Sequence, residues 1–371
     1  MTNQPTHQEA INQPGGGTYF DAMSCQLATR SVVRGWDARL QNDVESAALI
    51  IDNAGVVSIL LAGCHGRHRI GSQIHPVALR VLLIGMLVLG GRSEQMTVAG
   101  AYRLLTEEVS LGMQRRLGVI TSMYDPSTGT WINRRVVKLH HLHYVARIIT
   151  SQLAFTEASA PDVDSAERAR CQAVVVAYGE ALMGVFRPWW TGNTSVRKFE
   201  IASWGRPFQQ QRDERRIASD PTWSHRRDVD ARRVHRGNQK RVNFTFGYRL
   251  VAEMQNPAQD GDGPYLIRQY VVGTMDANLA GPLLPRCPAR TDGKPLHELD
   301  AYRVARPYRC TSPVLRRGDF QTFGLTWLSL VMGVVNASVN HQNLLQWYDR
   351  SRSESSGFFD ARLIDAGFCQ A

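Results

Sequence analysis

The chain has 371 residues, enough for two or three domains that each bury a core. Charged residues make up 20% and hydrophobic ones 43%, which places it among ordinary globular proteins rather than disordered or fibrous ones. The 43 Lys and Arg against 33 Asp and Glu leave a formal +10 and a pI near 9.6. That excess favours a polyanionic partner, nucleic acid first and an anionic membrane surface second, although a merely solvated basic surface shows the same balance. The six cysteines, Cys25, Cys64, Cys171, Cys287, Cys310 and Cys369, are scattered with no CxxC spacing. This argues against a zinc ribbon or a disulfide framework and suits a reducing cytoplasm.

In chain order, residues 1–17 are polar and rich in Gly and Pro, and read as a disordered tail without the basic and apolar segments of a signal peptide. Residues 18–187 read as a helical, DNA-binding domain of five or six helices. The apolar residues of Asp43–Gly63 recur at steps of three and four. Residues 75–91 follow, with Pro76 near a helix start and Gly90-Gly91 at its end. Residues 97–119, 133–155 and 164–186 have the same helical character, with Asp162 or Asp164 as N-caps of the last. The most apolar run, Val77–Gly90, is too short to span a bilayer and contains Arg80, so it predicts a buried helix and a soluble, cytoplasmic protein.

The texture changes near Pro188. Residues 195–204 mix β-branched and aromatic side chains and suggest a strand, and residues 243–254 and 264–275 are clearer strands. A helix entry at 276–284, a short strand at 296–302, a long helix over 320–351 and a loose tail over 351–371 complete the pattern. The fold class is α+β or α/β: a helical front, a strand-rich centre over 188–350 and a closing helix.

Between Arg206 and Arg241 lie eleven Lys or Arg and five acids. Guanidinium groups offer forked donors to phosphate oxygens, so a flexible basic insertion here can track a DNA backbone; a solvated insertion between strands is the plain alternative. The DNA-binding candidates are Arg226, Arg227, Arg232, Arg233, Arg236, Lys240 and Arg241. His140, His141 and His143 cluster, but no Cys or carboxylate nearby completes a metal site, so packing or surface roles are expected. Residues 64–68, CHGRH, read as a turn because of Gly66. No GxSxG, P-loop or HExxH element occurs.

Five segments follow in order: SWGRP (203–207), SDPTWSHR (219–226), FTFGYRL (244–250), TMDANLAGPLL (274–284) and PLHELDAY (295–302). They resemble the core of insertion-sequence transposases of the DDE type. In that family W-[AG]-R-P precedes D-P-D-A-x-W-G-H-R, a strand F-F-G-Y-x-L, an A-N helix entry and a strand ending D-R-x-Y. AYRLLTEEV (101–109) and RRLGV (115–119) are similar to segments of the family's helical front, and residues 323–345 to its closing helix with an A-x-x-N element. The resemblance covers most of residues 35–350. It implies an RNase-H-like mixed-sheet core and two-metal phosphoryl transfer by three carboxylates holding Mg²⁺ or Mn²⁺. It also implies double-stranded DNA, in particular terminal repeats, as partner, a homo-oligomer on that DNA, and a nucleoid location.

Asp300 corresponds to the second aspartate and is the candidate metal ligand, one residue short of the D-R-x-Y spacing. The first aspartate belongs about seven residues before Trp204, where this chain has Arg197; Glu200 and Asp220 are the candidate substitutes. Asp220, in the D-P-D-A element, also reads as structural or substrate-contacting. Glu253 and Asp276 are weaker acidic candidates. Only Asp319 lies between PVLRR and the closing helix, so the core is shortened where the family carries its glutamate. Two readings follow: a strand transferase of impaired activity, or an inactive DNA-binding remnant.

Overall fold

The computed structural model describes residues 38–64, 74–94, 96–190, 194–202, 210–220, 230–236, 243–255, 263–274 and 324–354. The expectations for the N-terminal tail, the His65–His68 turn, the 276–284 helix entry, the 296–302 strand and Asp319 lie outside these residues.

Residues 38–64 put apolar side chains on one face, with Leu40, Val44, Ala47, Ile50 and Ile51 buried. They form α1 (Ala38–Ala54) and α2 (Val56–Cys64), which meet at a 52° bend. Gly55 sits at the break with φ +61°, a conformation that costs glycine no Cβ clash. Helix α3 (Pro76–Gly91) starts with Pro76 in its first turn and ends at Gly91, as the sequence predicts. Its residues from Ala78 to Leu89 are buried except Arg80, which reaches outward to Asp52 on α1 through a two-pronged ion pair of 2.7 and 2.6 Å. Next come α4 (Val98–Arg103), a π-helical turn at Leu104–Glu108, and α5 (Leu111–Arg116). Helices α6 (Leu139–Gln152) and α7 (Ser165–Gly184) complete the front, with the Asp164 carboxylate accepting from the Glu167 N–H at 2.8 Å as the predicted cap.

The expectation of an all-helical front fails between residues 120 and 135. These form a hairpin of β1 (Ile120–Asp125) and β2 (Thr130–Arg135), so the helix predicted from residue 133 begins only at Leu139. Ile, Thr, Tyr and Trp favour extended backbone in this stretch. Asp125 closes the turn by accepting from the Ser127 N–H at 2.9 Å, and Gly129 takes φ +64°.

The second sheet is antiparallel throughout: β3 (Thr194–Ala202), β4 (Arg232–Arg236), β5 (Asn243–Gln255) and β6 (Ile267–Thr274). The long β5 is its centre. It pairs with β3 along one edge, from Gly247 to Gln255. On its other edge it pairs first with β4, from Asn243 to Gly247, and then with β6, from Tyr248 onward. A short helix, α8 (Gln210–Ser219), lies between β3 and β4 in sequence. Helices with small antiparallel sheets make the chain α+β.

Helix α9 (Gly324–Glu354) extends past the predicted 351 and forms the axle of the molecule, packed on α3, α6, α7 and β6. One cluster of buried side chains runs from Leu40 through Phe186, Ile201 and Val272 to Tyr348. Each large aliphatic side chain so buried contributes roughly 1.5–3 kcal/mol. Polar groups fix how α9 meets its neighbours. Tyr178 on α7 and Tyr270 on β6 donate to the successive α9 carbonyls of Leu330 (3.1 Å) and Ser329 (3.0 Å). Asn340 donates to the Ile267 carbonyl (2.8 Å) and accepts from the Ile267 N–H (2.7 Å), clamping the start of β6.

Candidate nucleic-acid interface

Side chains alternate across the sheet, so register decides which face each candidate occupies. Arg197 pairs in register with Ala252, which pairs with Tyr270; both belong to the main core. Arg197 is therefore on the core-facing side of β3, and it is buried. Glu200, three residues on, falls on the opposite face beside its register partner Arg249, and is half-buried. Glu253 shares that far face, in the row Val196–Glu253–Gln269, where Gln269 donates to one of its carboxylate oxygens at 2.6 Å. Glu253 is 3% exposed and its other oxygen has no hydrogen-bond partner among the described residues. Four strand steps separate its row from Glu200, about 13 Å at roughly 3.3 Å per residue. Carboxylates that share a pair of cations about 3.5–4 Å apart must stand far closer.

Asp220 is exposed just beyond α8, where its N–H closes the helix end on the Arg216 carbonyl at 2.8 Å. Among the described residues no group of three or more His, Cys, Asp or Glu could hold a metal ion. Glu200 and Asp220, the predicted substitutes, belong to no such group among the described residues. Asp300 and Asp276 lie outside the described residues.

Within the basic stretch 206–241 the described residues are 210–220 and 230–236. Arg232, Arg233 and Arg236 belong to β4, in register with Gly247, Phe246 and Asn243 of β5. Arg226, Arg227, Lys240 and Arg241 lie outside the described residues. Asp230, just before β4, is buried, and its carboxylate accepts from the Leu325 N–H at 2.8 Å and from the Thr156 hydroxyl. It therefore caps the N-terminus of α9, where unpaired backbone donors and the helix dipole favour an anion. No local pattern could have marked this residue, whose partners lie 95 and 74 positions away.

Among the three histidines, His141 accepts the Lys138 N–H at 3.3 Å and so helps start α6. Burial first, then the neighbouring His140, His75 and Lys138, hold its imidazole below the usual range. This is a structural role, in line with the sequence reading. Two small cavities, of about 20 and 40 Å³, lie against α9; their walls are the side chains of Leu60, Met86 and Trp327 in one and Phe155, Tyr270 and Val272 in the other. Each has space for a water or so, far below the roughly 300–1,000 Å³ of a small-molecule site. No single described helix is long and apolar enough to cross a membrane; α1 and α2 reach that length only jointly, across their 52° bend.

No family model matches the chain, nor does any curated protein or solved structure.

Proposed function

We propose that this chain is a DNA-binding protein of the DDE-transposase type whose strand-cleavage and transfer activity is impaired. The observation that carries the second half is Arg197. It stands where the resemblance calls for the first metal-ligating aspartate, and it is buried on the core-facing side of β3. A guanidinium ligates no cation, and its fixed charge opposes one. The first half rests on the ordered motifs, the formal +10 charge and the placement of three motifs at strands of one sheet. SWGRP follows β3, FTFGYRL lies in β5, and TMDAN begins at the last residue of β6. The antiparallel sheet with α7 and α9 on one face is compatible with part of an RNase-H-like core, and that finer assignment belongs to the proposal.

The test is Mg²⁺- or Mn²⁺-dependent nicking of duplex DNA carrying the element's ends, with Asp300→Asn alongside. The expected result is DNA binding without nicking above background in either protein. Nicking by the parent chain that Asp300→Asn abolishes would replace this reading with that of an active strand transferase.

A further inference from the structure

The β1–β2 hairpin interrupts the front that the sequence reads as a helical, DNA-binding domain. A two-stranded ribbon is marginally stable by itself, and among the described residues neither strand has a second strand neighbour. Its base is anchored. Ile120 is buried, Arg135 donates to the Tyr102 hydroxyl at 3.1 Å, and Arg115 donates to Asn133 at 3.2 Å. Beyond Ser122 and Asn133 the ribbon projects into solvent. Tyr124 and Trp131 pair edge to face at its tip, with centroids 5.6 Å apart. Met123 and Ile132, register partners on the other face, are 55% and 49% exposed, and Tyr124 is 53% exposed. Large apolar side chains held in the open on an ordered element mark a contact surface.

The charge around them identifies the occupant. From Leu111 to Lys138 the chain carries Arg115, Arg116, Arg134, Arg135 and Lys138 against a single acid, Asp125, which is engaged in the turn. Arg116 is ion-paired with Glu45, whereas Arg134 and Lys138 are exposed. Arg134 lies one alternation from Ile132 on the same ribbon face.

We propose that this ribbon is a duplex-DNA contact element, its cations seated on phosphates and its aromatic and apolar tip inserted in a groove. A two-stranded ribbon is one of the shapes a DNA major groove admits. The proposal rests on the DNA-binding reading and names a surface separate from the 206–241 stretch. A second copy of the chain would bury the same apolar tip but would set like charges against each other, so DNA is the better-matched partner.

The experiment measures duplex binding by the full-length protein across a salt series, for the parent, Arg134→Ala/Lys138→Ala and Met123→Ser/Ile132→Ser. Unchanged thermal melting of both variants shows that the fold is intact. The charge variant should lower the slope of log K against log salt by about 2, at roughly 0.9 per phosphate contact. The tip variant should weaken binding roughly tenfold or more with little change in slope. Parent-like affinity and slope in both variants would overturn the ribbon assignment and leave DNA binding standing. A change in sedimentation of the tip variant without a change in DNA affinity would overturn it in favour of self-association. Failure of the parent to bind would remove both readings.

Discussion

Under the proposed transposase reading Arg197 stands where an acid is required, and its burial bears on whether one substitution can reverse that. The side chain is buried in the row of Ala252 and Tyr270. Arg197→Asp would bury a carboxylate without a cation and is expected to destabilise by several kcal/mol, with no gain of Mg²⁺-dependent nicking. Urea unfolding and the nicking assay together check this; recovered cleavage would refute it. Asn340 makes the converse case of a motif residue with a structural use. Asn340→Ala strips both partners from the Ile267 backbone and should cost about 2–4 kcal/mol, read as a lower urea midpoint. His341 on the same helix is buried, which pushes its imidazole down to about 4 from 6.5. Between those values the unfolded chain binds a proton that the folded one does not. Stability should therefore fall as pH drops from 6.5 to 4, by up to about 3 kcal/mol from this group, and change no further below. His341→Gln should flatten that segment of the pH–stability curve.

Elements whose causes are local were legible, and those whose causes are distant were not. Pro76 and Gly91 bound α3, Asp164 caps α7, and the β-branched and aromatic runs at 243–254 and 264–275 form β5 and β6. The hairpin is not marked by the helical spacing, which leaves 120–132 unassigned between two helical segments, although Asp125 and Gly129 mark its turn. The path of α9 is set at long range, by Asp230 at its start, by its own Asn340 clamped on Ile267 of β6 and by two tyrosines on its carbonyls. The site was less legible than the fold, because the far-face placement of Glu200 and the core-facing placement of Arg197 depend on register. Close approach at the α7–β6–α9 contact gives an element-scale test. A Cβ on Gly333 would stand 2.6 Å from the Tyr270 hydroxyl and 2.8 Å from the Tyr178 ring. Gly333→Ala should thus overpack this contact and lower stability by about 1–3 kcal/mol, seen as a lower melting temperature.

At the scale of the whole molecule, the helical front and the sheet share α9, and one continuous core joins them. That arrangement holds the ribbon β1–β2 at the end of a rigid base, through Tyr102 and Arg115. The positive charge that composition alone reports is thereby resolved in part into a defined surface, with Arg134 and Lys138 exposed beside apolar residues. The central claim is that this surface and the formal +10 of the chain serve DNA. The measurement that tests it most directly is the affinity of the full-length protein for duplex DNA at a series of salt concentrations. A footprint of roughly 6–10 phosphates predicts a linear fall of log K with log salt, about 10³–10⁵-fold between about 50 and 200 mM. Binding that is indifferent to salt, or absent at the lowest salt, would contradict it.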